Sequence, residues 1–179
     1  MTSVPERTIG VAISIPEPYG EQLRAYRKSF GDPLASSIPT HVTLLPPTVV
    51  DQTMADEVHE HLLKVAATSH PFRIHLRGTA TFRPVSPVVF VMLAEGISGC
   101  EQLASSVRRG PLAAELAFPY HPHVTVAHHL DDVLLDRAFT ELSAFECDFE
   151  VDHFSLYVHE AENGWVPTRD FALTAAAGG

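Results

Sequence analysis

The stretch that decides the fold is Ile38-Pro39-Thr40-His41-Val42-Thr43-Leu44-Leu45, taken together with a second stretch, Tyr120-His121-Pro122-His123-Val124-Thr125-Val126-Ala127. Each stretch contains His-Val-Thr followed by an apolar residue, and each has a proline shortly before the histidine. Their β-branched residues favour an extended chain. Because residues two apart in a strand point to the same side, each histidine shares a face with its threonine. The pattern therefore predicts two strands whose valines face the core and whose His and Thr side chains face away from it.

The segments around these motifs form the same series of elements twice. Alternating apolar residues indicate strands, and apolar residues at helical spacing indicate helices. The first series is a strand over Ile9–Ile15, a helix over Tyr19–Phe30, the His41 strand ended by Pro46-Pro47, a helix capped by Asp51 or Thr53, and a strand from Phe72. The second series is a strand over Val88–Leu93, a helix over Ile97–Val107, the His123 strand, a helix capped by Asp131 or Asp132, and a strand over Phe145–Val151. Two more strands are predicted over His153–His159 and Trp165–Leu173. The repetition predicts two α+β lobes related by an approximate two-fold axis, with one motif strand from each lobe in a shared cleft.

The paired motifs resemble the two signature motifs of the 2H phosphoesterase superfamily, which includes bacterial 2'-5' RNA ligase-like proteins and cyclic nucleotide phosphodiesterases. Threonine rather than proline precedes His41, and extra histidines surround the second motif, but every signature residue is present. The resemblance implies an α+β bilobal fold: two pseudo-symmetric lobes of mainly antiparallel sheet, with helices outside and a central cleft.

Two imidazoles that face each other across a cleft suit in-line displacement at phosphorus. One removes a proton from the attacking water or hydroxyl, and the other gives a proton to the departing oxygen. Histidine suits both tasks because its unperturbed pKa of about 6.5 supplies both forms near neutrality. The Thr43 and Thr125 hydroxyls lie on the correct faces to stabilise charge on the non-bridging oxygens. We predict His41, His123, Thr43 and Thr125 as catalytic residues that require no metal or other cofactor, with either histidine as the base.

Composition and length indicate one soluble domain. The chain has 179 residues, of which 45% are hydrophobic and 19% charged, values typical of globular proteins. We assign residues 1–174 to a single bilobal catalytic domain and residues 175–179 to a flexible tail. The formal net charge of −10 argues against a general binder of nucleic acid and against long double-stranded nucleic acid as a partner.

The cysteines and the hydropathy pattern of the chain indicate its cellular compartment. Cys100 and Cys147 lie far apart in apolar patterns, which predicts reduced core thiols in a cytoplasmic protein. The N-terminal alternation stops at Pro16 and predicts a strand rather than a signal peptide. The longest apolar run, Val88–Ala94, is too short to cross a bilayer. We expect a monomer.

Aromatic and basic residues near the motifs are candidates for binding. Tyr120 is predicted to bind substrate by stacking on a nucleobase or contacting a ribose, with simple packing in a loop as the alternative. Phe82 and Phe118 are predicted core or lobe-junction residues. Six arginines could form a local positive cleft or lie on the surface: Arg73, Arg77, Arg83, Arg108, Arg109 and Arg169.

The histidines at positions 121–129 offer a metal site as a rival interpretation. His121 and His123 are two residues apart, but no carboxylate follows at the spacing of a familiar His-x-His metal motif. His128 and His129 are neighbours and face opposite ways if the strand reaches them. We therefore predict that the site holds no metal.

The predicted function, by resemblance, is that of a metal-independent phosphodiesterase. Its expected substrate is a cyclic nucleotide or short RNA with a 2',3'-cyclic phosphate end, opened to a monophosphate. The resemblance also implies 2'-5' RNA ligation as the reverse-type chemistry. The alternatives are a non-catalytic module that binds nucleotides or RNA ends, and a metalloprotein built on the histidine cluster.

Overall fold

The computed structural model describes residues 3–176, within which eight strands form two antiparallel four-stranded sheets. The strands are β1 (Glu6–Ser14), β2 (His41–Asp51), β3 (Phe72–Thr81), β4 (Val88–Glu95), β5 (His123–His128), β6 (Glu146–Val151), β7 (His153–Glu160) and β8 (Gly164–Ala172). The α-helices are α1 (Tyr19–Ser29), α2 (Ala55–Ala67), α3 (Ile97–Val107) and α4 (Asp132–Glu141). Short 3-10 helices cover Pro33–Ser36, Gln52–Met54 and Gly110–Leu112.

The two sheets have equivalent strand orders. Sheet A has the order β2-β1-β7-β8, and sheet B has the order β5-β4-β3-β6. Each motif strand therefore lies at the edge of its sheet and pairs with the strand that begins its half of the chain. The α+β fold with two pseudo-symmetric antiparallel lobes is confirmed.

The third strand of the first series lies in the sheet of the second series, which the repeat alone does not reveal. β3 pairs with β4, so the chain crosses to sheet B after α2. The position beside β1 in sheet A is taken by β7, which returns from sheet B. The helices also cross: α1 packs against β5, and α3 packs against β2. The lobes are thus interlocked rather than consecutive.

β2 differs from its prediction at the C-terminal end. Pro46-Pro47 does not end the strand, which continues to Asp51. The pairing with β1 shifts between Leu45 and Thr48, where β2 carries an extra residue. Proline is tolerated here because β2 is an edge strand and the register shift removes the need for a ladder N–H. Asp51 accepts a hydrogen bond from the Thr53 N–H at 2.7 Å, so it caps the short 3-10 helix ahead of α2 and not α2 itself.

The core lies between the sheets and the helices and contains the apolar partners of the motif residues. Val42, Leu44, Val124 and Val126 are fully buried, which confirms the predicted inward face of both motif strands. Among residues 3–176, no helix combines the length and apolar composition needed to cross a membrane.

The predicted tail begins at a residue that is hydrogen bonded to the domain. The Ala175 N–H donates to the Ser69 carbonyl at 3.2 Å. The rest of the predicted tail extends to residue 179, and its last three residues lie outside the described part of the chain.

Candidate active site

The two motif strands lie side by side although they belong to different sheets. β2 and β5 are in contact along the junction of sheets A and B. In sheet A, Ser14 lies opposite His41 in the register of β1 with β2. In sheet B, Met92 lies opposite His123 in the register of β4 with β5. The predicted histidines and threonines are therefore brought to one junction, from equivalent positions of the two lobes.

The His41 imidazole is held at both of its nitrogens. Nδ1 lies 2.6 Å from the Pro39 carbonyl oxygen, and Nε2 lies 3.1 Å from Thr43 Oγ1. A carbonyl oxygen can only accept, so Nδ1 carries the proton and donates to Pro39. The Thr43 hydroxyl then donates to Nε2 in the neutral ring. The backbone two residues upstream fixes the tautomer and leaves Nε2 as the basic nitrogen.

His123 is oriented in the same way, by the backbone carbonyl two residues upstream. Its Nδ1 donates to the His121 carbonyl at 2.7 Å. Phe82 lies edge-on to the ring, with centroids 5.0 Å apart and an interplanar angle of 85°, and the Phe90 centroid lies at 5.2 Å. Within residues 3–176, neither His123 Nε2 nor the Thr125 hydroxyl has a hydrogen-bond partner.

Burial lowers the pKa of both imidazoles. For His41, desolvation dominates, and the positive charges of Arg27 and His123 lower the pKa further against the opposing hydrogen bond to Pro39. For His123, desolvation again dominates and the charge of His121 adds to it. Without an anion in the cleft, both rings are neutral near pH 7. An anion bound between them would raise both values again, because it stabilises the charged form.

Tyr120 bridges the two lobes just ahead of the second motif. Its hydroxyl donates to the Thr43 carbonyl at 2.7 Å, and the Arg108 guanidinium lies 5.5 Å from its ring centroid. Burial raises the pKa of Tyr120, so the hydroxyl stays protonated and keeps this hydrogen bond. The contact connects the loop before β5 to the backbone of β2.

Two adjoining cavities lie on the sheet A side of the junction. A small one of about 130 Å³ is lined by His41 and Thr43. A larger one of about 760 Å³ continues along the face of sheet A. The two share four lining residues: Ile38, Pro39, Tyr157 and Trp165. The polar lining of the larger cavity includes Ser14, Glu17, Arg24, Ser155, Arg169 and Asp170.

Sequence reasoning missed most of these cavity residues, although a signal was present. Gly10, Ala12 and Ser14 alternate with large apolar residues along β1, and all three line a cavity. Small side chains on one face of a strand leave room for a ligand over that face. Among the six candidate arginines, Arg169 alone lines either cavity.

Two of the other candidate arginines form ion pairs outside the cavities, and the two aromatic residues predicted to be buried differ in their surroundings. Arg73 pairs with Asp148, and Arg83 pairs with Asp136 at 2.9 Å. The six arginines therefore do not converge on one cleft. Phe82 packs against Phe90 and His123 of sheet B, with ring centroids 4.4 Å and 5.0 Å apart. The prediction that Phe118 is buried is wrong: this residue is 69% exposed, because it lies in the irregular loop between Leu112 and β5.

The histidine cluster differs from a continuous strand. β5 ends at His128, and His129 has a φ of 55°, in the left-handed region. The turn brings the two rings together, with centroids 3.6 Å apart, rather than to opposite faces. Within the described range 3–176, no group of three or more His, Cys, Asp or Glu side chains is arranged to hold a metal ion.

A buried ion pair ties the end of β5 to the first lobe. Asp32 Oδ2 accepts from Arg27 Nε at 2.7 Å and from the His128 backbone N–H at 3.2 Å. Its Oδ1 accepts from the Leu34 N–H at 2.9 Å and caps the 3-10 helix at Pro33. The sequence shows Gly31-Asp32-Pro33 only as a helix end, so neither the ion pair nor its contact with β5 was predicted.

The chain is similar to known proteins over most of its length. The family model of the 2'-5' RNA ligase superfamily matches residues 15–163. A protein of Oceanobacillus iheyensis named "Putative phosphoesterase" is 29% identical over 168 residues, covering 92% of this chain and 96% of that protein. Another of that name, from Bacillus pumilus, is 31% identical over 152 residues, covering 83% of this chain and 87% of that protein.

Solved structures share the fold. The crystal structure of E. coli LigT complexed with 3'-AMP superposes with a TM-score of 0.72 at 20% identity, covering 96% of this chain and all of that one. The crystal structure of TT0787 from Thermus thermophilus superposes with a TM-score of 0.64 at 18% identity, covering 95% of this chain and all of that one. The two interlocked sheets are thus the fold of these proteins.

Proposed function

Because the chain belongs to the 2'-5' RNA ligase superfamily, we propose that it is a phosphodiesterase acting on nucleotides or short RNA ends. It hydrolyses, or forms by the reverse-type ligation, 2',3'-cyclic phosphate or 2'-5' phosphodiester bonds. The relatives from Oceanobacillus iheyensis and Bacillus pumilus are named as phosphoesterases. LigT was crystallised with 3'-AMP, NADP+ and ATP, which supports nucleotide chemistry for this fold.

The observation that carries the proposal is the equivalent placement of two imidazoles on adjoining edge strands. The Nδ1 atoms of His41 and His123 each donate to a backbone carbonyl two residues upstream. In each ring Nε2 is therefore the nitrogen left for proton transfer. An acid–base pair needs this arrangement, with two rings of defined tautomer on either side of one reacting group.

In the proposed reaction, a phosphodiester binds between the two Nε2 atoms. One imidazole takes a proton from water, and the other donates a proton to the departing ribose oxygen. Each such transfer typically contributes about 10²–10⁴-fold to the rate. The hydroxyls of Thr43 and Thr125 donate to the non-bridging oxygens as charge develops there. The Thr43 hydroxyl would leave Nε2 of His41 to do so. No step calls on a metal or another cofactor.

Tyr120 is also proposed to bind substrate, as predicted from the sequence. The contacts that it already makes restrict which part of its side chain is available. Its hydroxyl is already bonded to Thr43, and one ring face is covered by Arg108. A base or ribose would have to contact the remaining part of the ring.

We also propose that the protein is a cytoplasmic monomer of one bilobal catalytic domain. Both cysteines are free and buried, and burial raises the pKa of the Cys100 thiol to about 12, so it is protonated and unreactive. A single peak at the monomer mass in size-exclusion chromatography with light scattering would support the oligomeric state.

The test uses His41→Ala, His123→Ala and the double variant, with His75→Ala as the control. His75 lies outside the motif strands and pairs with Glu146 at 2.7 Å. Cyclic nucleotides, oligonucleotides with cyclic phosphate ends, and ADP-ribose 1'',2''-cyclic phosphate are followed by phosphorus NMR. Each single variant should lose most of the rate, and the double variant little more, because the two residues act as a unit. His75→Ala should keep the wild-type rate.

Two outcomes would contradict the proposal. If one single variant kept near wild-type turnover while remaining folded by circular dichroism, the paired mechanism would be wrong. If the wild-type protein bound these ligands without turning any over, it would be a non-catalytic module for nucleotides or RNA ends. Metal analysis of protein purified without a His tag would test the metalloprotein alternative.

A further inference from the structure

The two motif strands are not joined by a β-ladder, because β2 belongs to sheet A and β5 to sheet B. Across residues 3–176, a single hydrogen bond connects β2 directly to the segment 120–128. In this bond the Tyr120 hydroxyl donates to the Thr43 carbonyl at 2.7 Å. The separation of the two strands at the site therefore depends on this contact and on packing.

Each end of the hydrogen bond lies next to a group that orients a histidine. The Thr43 hydroxyl oxygen lies 3.1 Å from Nε2 of His41. Tyr120 immediately precedes His121, whose carbonyl accepts from Nδ1 of His123 at 2.7 Å. A shift of Tyr120 relative to Thr43 would therefore move the two imidazoles relative to each other.

The Tyr120 side chain is held on several sides. It is partly buried and packs against the core. The Arg108 guanidinium lies 5.5 Å from its ring centroid, and a cation is attracted to the face of an aromatic ring. Arg108 follows directly after α3, the helix that packs against β2. The ring thus has a defined position from which its hydroxyl can set a distance.

We infer that Tyr120 is a positioning residue whose hydroxyl, through the Thr43 carbonyl, sets the separation of the His41 and His123 rings. The inference rests on the proposed function for the reaction that the rings perform. In-line displacement needs the two Nε2 atoms on opposite sides of one phosphorus atom, so their separation must match the reacting group. This role belongs to the hydroxyl and differs from the substrate contact proposed for the ring. A misplacement of about 1 Å can lower the rate of such a site about 100-fold.

The test is Tyr120→Phe, which keeps the ring and removes the hydroxyl. On adenosine 2',3'-cyclic phosphate its kcat should fall about 10- to 100-fold, with KM within about twofold of the wild type, because the surface that binds substrate is retained. Glycerol 1,2-cyclic phosphate has the reacting ring without a nucleoside and should show the same loss. A wild-type kcat, or a loss confined to the adenosine substrate, would overturn the inference.

Thr79→Val is the matched control. The Thr79 hydroxyl also donates to the backbone carbonyl of a distant element, that of Phe139 at 2.8 Å, and this bond joins β3 to α4 outside the site. Its loss removes a hydrogen bond of the same kind without moving the motif strands, so kcat should equal that of the wild type. If Thr79→Val lowered kcat as much as Tyr120→Phe, the loss would reflect stability alone and the inference would be wrong.

The His41→Ala background shows whether the hydroxyl acts through the histidine pair. Once one imidazole is missing, there is no separation to set. Tyr120→Phe should then lower the residual rate by less than about twofold, because the affected residues work as a unit. If the full loss seen in the wild-type background recurred in His41→Ala, the hydroxyl would act independently of the pair, against the inference.

Histidine NMR separates this inference from the proposed function, because it needs no turnover. The Cε1–H resonances of His41 and His123 are followed against pH. Burial lowers the pKa of both rings. A looser junction admits water, so both pKa values should rise in Tyr120→Phe and stay unchanged in Thr79→Val.

The two failures are then distinguishable. If the wild type hydrolyses the cyclic phosphates and Tyr120→Phe matches it in kcat and in both pKa values, the inference is refuted while the phosphodiesterase stands. If the wild type hydrolyses neither substrate but both pKa values rise in Tyr120→Phe, the proposed catalysis fails and the positioning of the two rings by Tyr120 stands.

Discussion

Replacing Asp32 with asparagine is expected to destabilise the protein by about 3–5 kcal/mol, the usual cost of removing one partner from a buried ion pair. Asp32 Oδ2 lies 2.7 Å from Arg27 Nε, and the two side chains are 0% and 7% exposed. Asparagine keeps the volume and an oxygen that can cap Leu34, but it removes the charge. Arg27 is then left as a largely buried cation whose counter-charge has been removed.

The chain provides a matched control in Arg137 and Glu141. Their N···O distance is also 2.7 Å, but the side chains are 47% and 38% exposed on α4. Exposed pairs spaced i,i+4 contribute about 0.3–0.5 kcal/mol. Glu141→Gln, an equally conservative change, should therefore cost no more than that. Since the contact distance is the same, the difference between the two variants measures the effect of burial.

The measurement is urea denaturation followed by circular dichroism at pH 7, with the free energy of unfolding taken from the midpoint and slope. A third variant, Arg27→Met with Asp32→Asn, removes both charges, keeps the oxygen that accepts from the Leu34 N–H, and should recover most of the lost stability. If Asp32→Asn fell within about 1 kcal/mol of Glu141→Gln, burial would not make this pair different. The buried pair would then not be what ties α1 to the end of β5.

Three further predictions concern the chemistry. Protein treated with EDTA should retain full cyclic phosphodiesterase activity, and loss that zinc or manganese restores would contradict the metal-free scheme. Thr43→Val and Thr125→Val should each lower kcat, by the equivalent of about 2.7–4 kcal/mol if the cleft is dry. Thr48→Val, on the same strand with its hydroxyl bonded to Pro46, should leave kcat unchanged. Catalysis needs one protonated and one neutral imidazole. Because burial lowers the pKa of His41 and His123, this state is populated only in more acidic solution. The profile of kcat/KM, which reports the free enzyme, should be bell-shaped with its maximum below pH about 6.5; a maximum near pH 8 would refute this.

The sequence predicted the features of the site that depend on local periodicity. A two-residue repeat determines which side chains share a face of a strand, so the spacing alone pairs His41 with Thr43 and His123 with Thr125. The duplication implied that the two faces meet. The buried Val42 and Val124 confirm the orientation of both strands.

The features that the sequence did not predict depend on contacts between distant segments. Asp32 meets the backbone of His128, nearly a hundred residues away, and no local pattern encodes that contact. The larger cavity depends on β7 and β8, which carry Tyr157 and Trp165 and extend sheet A beside β1. Pro46-Pro47 predicts a strand end because proline usually has that effect, whereas the free edge of sheet A tolerates it.

The crossing of the chain between sheets has a consequence for biosynthesis. Sheet B comes from one uninterrupted segment, residues 72–151, whereas sheet A joins the two ends of the chain, with Val11 paired to Leu156. On the ribosome, β1 and β2 are made first and can form only a two-stranded pair, connected through α1, until β7 is made. Two paired strands are marginally stable alone. The strand that carries His123 can thus be in place well before the one that carries His41. A nascent or prematurely ended chain that lacks β7 and β8 would expose the open edge of β1, a template for aggregation. Of the two histidines, only His123 would lie on a complete sheet. The synthesis of β7 and β8, which contain neither motif, therefore determines when the active site can be completed.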